Sequence, residues 1–203
     1  MTIYKSLLGD EFYKLHPKLQ CRYLLPIGES FYAEGIMTKI ETGAKWLSPF
    51  LRATTRLRFL FPESGENIPF TISNTCRPLA DGQHEISWER TFFFGDKTRH
   101  FDARMTIDLE KQIVKDYLGK PSLFYSDLHF AVTKEGFLLI RSGLQRFVLR
   151  KSEFAIPRLL EGRVIVEEGY DDVRDVYTIH VSIHNPLFGR LMMYAGEFTQ
   201  KFI

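Results

Sequence analysis

Residues 83–94 read QHEISWERTFFF, and whether this stretch is strand or helix decides the class of the chain. Its aromatic and β-branched content favours a pleated, half-buried strand. Side chains then alternate between two faces, with His84, Ile86, Trp88, Arg90, Phe92 and Phe94 on one and Glu85, Ser87, Glu89, Thr91 and Phe93 on the other. Arg90 therefore shares a face with the bulkiest apolar residues. A guanidinium keeps its proton, so a buried one needs an anion beside it. Three readings stand. The anion is internal, with Glu168 and Asp175 in register with apolar neighbours on their own strands; or it belongs to a ligand head group; or Arg90 lies exposed at a barrel rim.

The two-residue rhythm extends outward from this strand. After the turn cluster at 62–67, Ile68, Phe70, Ile72 and Cys76 alternate with Pro69, Thr71, Ser73, Thr75 and Arg77. Asp81-Gly82 turns the chain into the Trp88 strand, and residues 95–97 lead to a third strand with Phe101, Ala103, Met105, Ile107 and Leu109 on one face. Further strands are predicted at 113–118, 123–133, 137–140, 164–168, 176–183 and 188–198. Residues 144–160 are less regular and have room for a short helix. Roughly nine or ten strands at hairpin spacing must curl or close, because long open edges invite aggregation. The expected class is mainly β (α+β): a strongly curved antiparallel sheet or partly closed lipocalin-like barrel with short N-terminal helices.

The helical signal sits at the start. Tyr4, Leu7 and Leu8 have helical spacing and Gly9 can close their turn. Asp10 offers an N-cap for a piece holding Phe12 and Leu15, and Pro17 suits the first turn of another. Residues 29–40 read as a strand with a bulge or bend at Gly35. Residues 43–57 return to helical spacing, with Trp46 and Phe50 four apart, as are Leu47 and Leu51. That stripe is read as a core face, with a lid over a cavity as the lesser reading. No repeat or flexible linker divides the chain, so residues 1–203 are taken as one domain: a helical part (1–60) packed on strands (68–203).

Composition excludes several classes. Eighteen Phe, nine Tyr and two Trp lean toward β structure. Twenty-seven basic against 25 acidic residues leave a net of +2, too even for polyanion steering. The clusters Arg52-Arg56-Arg58 and 146–151 read as solvated or structural, with an anionic-lipid or nucleic-acid surface as the lesser alternative, and no nucleic-acid partner is expected. Cys21 and Cys76 read as free thiols, no apolar run is long enough to span a bilayer, and the N-terminus lacks a signal peptide's apolar region. The expected compartment is the cytoplasm.

Chemical motifs are sparse. His180 and His184 would face one metal on a helix, but on a strand they stand about 13 Å apart. Phosphate loops and nucleophile elbows are missing. Glu167-Glu168 and Asp171-Asp172 read as edge and turn residues. The closing run at 185–198 places Met192, Tyr194, Gly196 and Phe198 on one face with Arg190, read first as core filling and second as the wall of an apolar cavity. There the methionines give an adaptable lining, and Gly196 leaves room for a backbone or ligand.

These segments carry a resemblance. IYKSLLGDEFYKLHPKLQ (3–20), WERTF (88–92) and NPLFGRLMMYAGEF (185–198) resemble a bacterial family of unknown function. Its members look like stand-alone proteins or C-terminal modules of YndJ-type membrane proteins and saccharopine-dehydrogenase-like reductases. The resemblance implies no catalytic residues. It marks Trp88, Arg90, Phe92, Tyr194 and Gly196 as matched positions.

The first functional expectation is a non-enzymatic module for a lipid-like or other apolar, or anionic, small molecule, bound by Arg90, Trp88, His84, Phe92, Met192, Tyr194 and Gly196. A structural or interaction domain with a solid core, meeting a partner domain or a second copy, follows closely. An enzyme using Arg90, His84 and Tyr194 ranks third. No cofactor and no metal are expected.

Overall fold

A computed structural model describes residues 2–80, 82–149 and 152–202. Strands hold 56% of the chain and helices 15%, which places it in the mainly β class. The strands are β1 (Ser30–Thr42), β2 (Gly65–Pro78), β3 (His84–Phe94), β4 (Lys97–His100), β5 (Ala103–Asp108), β6 (Ile113–Leu118), β7 (Phe124–Val132), β8 (Leu138–Leu149), β9 (Ser152–Ala155), β10 (Arg163–Asp171), β11 (Val176–Asn185) and β12 (Gly189–Gln200). Ten of them close an antiparallel ring in the order β10-β11-β12-β1-β2-β3-β5-β6-β7-β8, and β10 returns to pair with β8. The sheet is thus a closed barrel, with β4 and β9 as appendages on β3 and β8.

Alternation sets what the ring encloses. On β3, Ile86, Trp88, Arg90 and Phe92 are buried. Phe70, Ile72, Asn74 and Cys76 match them on β2, as do Tyr177, Ile179, Val181 and Ile183 on β11. Where β1 and β12 cross, two glycines permit close approach. A Cβ at Gly196 would lie 2.3 Å from the Ile36 carbonyl oxygen, and one at Gly35 would lie 2.0 Å from that of Glu197. Gly196 therefore serves backbone packing. The irregularity in β1 lies between Ile36 and Lys39, just beyond Gly35, where a bulge was expected.

One end of the barrel is plugged by the N-terminal segment. Helix α1 (Ile3–Leu8) starts at Thr2, whose side chain accepts from the Lys5 N–H, and stops at Gly9, whose φ of 54° few other residues tolerate. Residues Gly9–Lys14 then form a 3-10 segment with no side-chain cap, so Asp10 does not have the capping role expected of it. Helix α2 (Pro17–Tyr23) has Pro17 in its first turn, and the His16 side chain caps the Lys18 N–H at 3.3 Å. Tyr4, Phe12, Leu19 and Tyr23 are driven into the plug's interior.

Arg22 of α2 enters the same interior and pairs with Glu168 of β10, each side chain 1% exposed. Its Nη2 donates to Glu168 at 3.3 Å, and its Cζ lies 4.1 Å from the Phe31 ring centroid and 5.0 Å from that of Phe198. Glu168, read as an edge residue or a partner for Arg90, is the counter-ion of Arg22. Asp175, the other partner considered for Arg90, is exposed and meets Tyr170 and Lys18.

The other end carries α3 (Ser48–Thr55), preceded by a 3-10 turn at Lys45–Leu47. Leu47 and Leu51 face the core, whereas Trp46 and Phe50 are 62% and 48% exposed, so only half of the predicted stripe is a core face. Two other readings change here. Among the described residues of 144–160 there is no helix; β8 continues to Leu149 and pairs with β9, and both reach beyond the ring, where no inside face imposes alternation. The predicted third strand is split into β4 and β5 at Phe101-Asp102, and Leu109 lies past its end, exposed. Of the expected turn before β3, Gly82 has φ 82°, and Asp81 lies outside the described residues, as do Arg150 and Lys151 of the basic cluster.

Removing one member of a buried ion pair strands the other. Glu168→Ala is expected to cost about 3–5 kcal/mol in urea unfolding, and Arg22→Met with Glu168→Leu to recover most of it. A loss below about 1 kcal/mol in the single variant is the value of a solvent-exposed pair and would contradict the burial described.

Candidate functional site

The half of the barrel away from the plug is not filled. It holds a cavity of about 130 Å³, room for a small organic molecule rather than a single water. Phe59, Phe101, Phe124, Leu128, Ile140 and Val181 line its walls, and it reaches the surface beside Phe50 and Leu160. The described residues include no group of three or more His, Cys, Asp or Glu placed to hold a metal. Cys21 and Cys76 are unbridged, and His180 and His184 stand exposed on β11.

An arginine and an aspartate face this cavity, each more than nine-tenths buried: Arg90 at 8% exposure and Asp116 at 6%. Arg90 is held from three sides. Its Nε donates to the Phe101 carbonyl at 2.9 Å, its Nη1 donates to the Tyr194 hydroxyl at 3.0 Å, and the Phe101 ring lies 4.1 Å from its Cζ. The break between β4 and β5 creates this seat. The Phe101 N–H bonds the Arg90 carbonyl and the Asp102 N–H bonds the Arg58 carbonyl, which turns Phe101 across the guanidinium. No carboxylate lies within 4.0 Å of Arg90 among the described residues. Nearby, Arg58 Nε stands 2.6 Å from Asp102 Oδ2, close but off the hydrogen-bonding direction, and burial pushes the Asp102 carboxyl up.

Asp116 is positioned by register. It pairs with Met105 on β5 and Ser126 on β7, and Ser126 pairs with Gln145 on β8, so a row of side chains crosses the cavity wall. Gln145 is used up by Gly162, accepting from its N–H and donating to its carbonyl, while the Ser126 hydroxyl donates to the Asp127 carbonyl. Asp116 has no hydrogen bond to the described protein, and its Oδ1 is sealed. Burial pushes its pKa up to about 7, against the pull of Arg90. The site can therefore donate from a guanidinium and, when Asp116 is protonated, from a carboxylic acid. Both face hydrocarbon.

Of the residues expected here, Trp88 and Arg90 line the cavity. Trp88 also donates its indole N–H to the Tyr4 hydroxyl at 3.0 Å, joining cavity to plug. Tyr194 touches the site through Arg90, and its ring packs on Phe92, 5.5 Å between centroids; Met192 is fully buried. His84 opens β3 half-exposed and is not among the lining residues. Asp116 and Phe101 went unrecognised as site residues, although Val114, Asp116 and Leu118 share a face as Trp88, Arg90 and Phe92 do. That in-phase charge was the available signal.

Fold and site define a closed antiparallel barrel with a polar pair at the inner end of an apolar cavity. Residues 15–198 match the family described as "Domain of unknown function (DUF4166)", and the chain belongs to that family. It is 38% identical over 199 residues to "Uncharacterized protein YndH" of Bacillus subtilis (strain 168), covering 97% of this chain and 95% of that protein. No helix among the described residues is long and apolar enough to cross a membrane.

The raised Asp116 pKa has a thermodynamic sign. The unfolded carboxyl releases its proton near pH 4, whereas the folded one holds it to about pH 7. Between these values the unfolded chain binds fewer protons, so this group's contribution falls as pH rises from about 4 to about 7. Asp116→Asn should gain stability over the parent at pH 8 and differ little at pH 4. Equal differences at both pH values in urea unfolding would refute the shift.

Proposed function

We propose that this barrel binds one small apolar molecule with an acidic head group, held by Arg90 and Asp116 while its hydrocarbon runs toward Phe50 and Leu160. The observation that carries the reading is the unpartnered Asp116 carboxyl beside a cation with no carboxylate in contact, both facing an apolar space. An anionic head group would give Arg90 its missing counter-charge. Protonated Asp116 would donate the second hydrogen bond, and charge-assisted bonds of this kind are among the strong ones. The remaining wall supplies burial and shape. A solid-core interaction domain is less well supported, because the interior is open where Arg90 stands. Catalysis by Arg90 with His84 and Tyr194 is also less well supported, because His84 does not reach the cavity lining.

Dodecanoate, dodecyl phosphate and dodecanol added to delipidated protein test this reading. A ligand at 100 times its Kd stabilises by about 2.7 kcal/mol, roughly 5–10 °C for a chain of this size. The two acids should produce such a shift, dodecanol less, and Arg90→Met should remove the preference for acids. If none of the three raises the Tm, and native mass spectrometry of gently purified protein finds only bare polypeptide, the proposal fails.

A further inference from the structure

Three separate segments surround the cavity mouth: residues 43–58, 144–163 and 185–190. Their contacts tie them into one surface. Trp46 and Phe188 pack edge to face at 5.3 Å. The Asn185 side-chain amide donates to the Leu159 and Glu161 carbonyls, at 3.0 and 2.9 Å, and its oxygen accepts from the Leu187 and Phe188 N–H groups. Ile156 N–H bonds the Gln145 carbonyl. Phe50, Ile156 and Leu160 line the cavity itself.

This surface is apolar to a degree that folding alone does not call for. Trp46 is 62% exposed, Leu159 59%, Leu187 58%, Leu160 51%, Phe50 48% and Phe188 36%. Clustered large apolar side chains on one face, rimmed by charge, mark an interaction surface rather than scattered exposure. The rim's charge has one dominant sign. The three segments contain eight described basic residues against two acidic ones, Glu153 and Glu161, in a chain of 27 basic and 25 acidic residues. The rest of the chain is therefore net acidic. Arg58, Arg146 and Arg190 have carboxylate partners, whereas Lys45, Arg52, Arg56 and Arg158 are exposed with no ion pair among the described residues. Exposed basic side chains on the same segments as exposed Trp, Phe and Leu match an anionic bilayer surface. There aromatic rings settle at head-group depth while Lys and Arg meet the phosphates.

We propose that the cavity mouth docks on the surface of an anionic phospholipid bilayer, inserting Trp46, Phe50, Leu187 and Phe188 at the head-group boundary. The barrel lies on the membrane and does not span it. The cavity then opens toward the lipid, so an apolar occupant could pass between bilayer and barrel without crossing water. Docking goes beyond the ligand reading and is tested separately from it, because vesicle association is measured whatever the cavity holds.

The chain contains a built-in reporter: of its two tryptophans, Trp46 is exposed at the mouth and Trp88 is buried. The full chain is mixed with vesicles of phosphatidylcholine alone and of phosphatidylcholine with 30% phosphatidylglycerol, a composition chosen to make the surface anionic. Expected are co-sedimentation with the anionic vesicles, a blue shift of Trp46 emission, and weakening at high salt. Arg52→Glu with Arg56→Glu should weaken association by about ten-fold or more. Leu187→Ser with Phe188→Ser should abolish the blue shift while near-ultraviolet circular dichroism stays native. Absence of association with both vesicle types overturns the proposal. So does association that the two charge reversals leave unchanged. A concentration-dependent dimer that shields Trp46 and excludes vesicles would assign the face to a second copy and equally overturn it.

Discussion

Closure of the ring by pairing β8 with β10 is the constraint on which the rest depends. Once the ladder runs all the way round, inward side chains face one another or the cavity rather than the solvent outside the ring. The polar residues that point inward must then be satisfied by the interior itself. They are satisfied to different degrees along the barrel. In the plug, Arg22 meets Glu168 and is enclosed by aromatic rings. Midway, Arg90 is held by a carbonyl, a hydroxyl and the Phe101 ring without a touching carboxylate. At the cavity wall, Asp116 has no partner and answers burial by keeping its proton to about pH 7.

The sequence carried those parts of this arrangement that are written in a local rhythm. Alternation marks β2, β3, β6, β11 and β12, because each packs one face inside the ring for most of its length. It is silent beyond the ring, which is why the β8–β9 hairpin, with Leu144, Phe147, Leu149 and Phe154 exposed, lacks a legible pattern. It is also blind to the break at Phe101-Asp102, since Phe101, Ala103 and Met105 stay in phase across it. Closure is a long-range pairing that no short window contains.

The polar interior shows the same division. Arg90 was legible because a charge stood in phase with Trp88 and Phe92. Asp116 offered the same signal between Val114 and Leu118, and Arg22 offered the helical version, three residues after buried Leu19 and next to buried Tyr23. What the pattern did not supply was pairing. Glu168 was in phase with Val164 and Val166, and nothing in β10 says that its cation comes from α2 rather than β3. Gly196 was open to both a packing and a ligand role, and the 2.3 Å separation from the Ile36 carbonyl decides for packing.

Packing also explains why an occupant suits the cavity. Water settles inside proteins where two to four polar partners hold it, and here Arg90 and Asp116 stand on a mainly apolar wall whose Tyr125, Ser126 and Gln145 are already engaged by protein partners. The aliphatic and aromatic lining lacks neighbours on its open side and so forfeits the dispersion contacts of a close-packed interior. Hydrocarbon entering that space would restore those contacts, and an acidic head group would neutralise Arg90 while Asp116 remains uncharged. An anion beside Asp116 also disfavours its ionisation, which ties occupancy to proton uptake. The same two residues are therefore the ones on which the proposed selectivity for a molecule with an apolar body and one acidic end would rest.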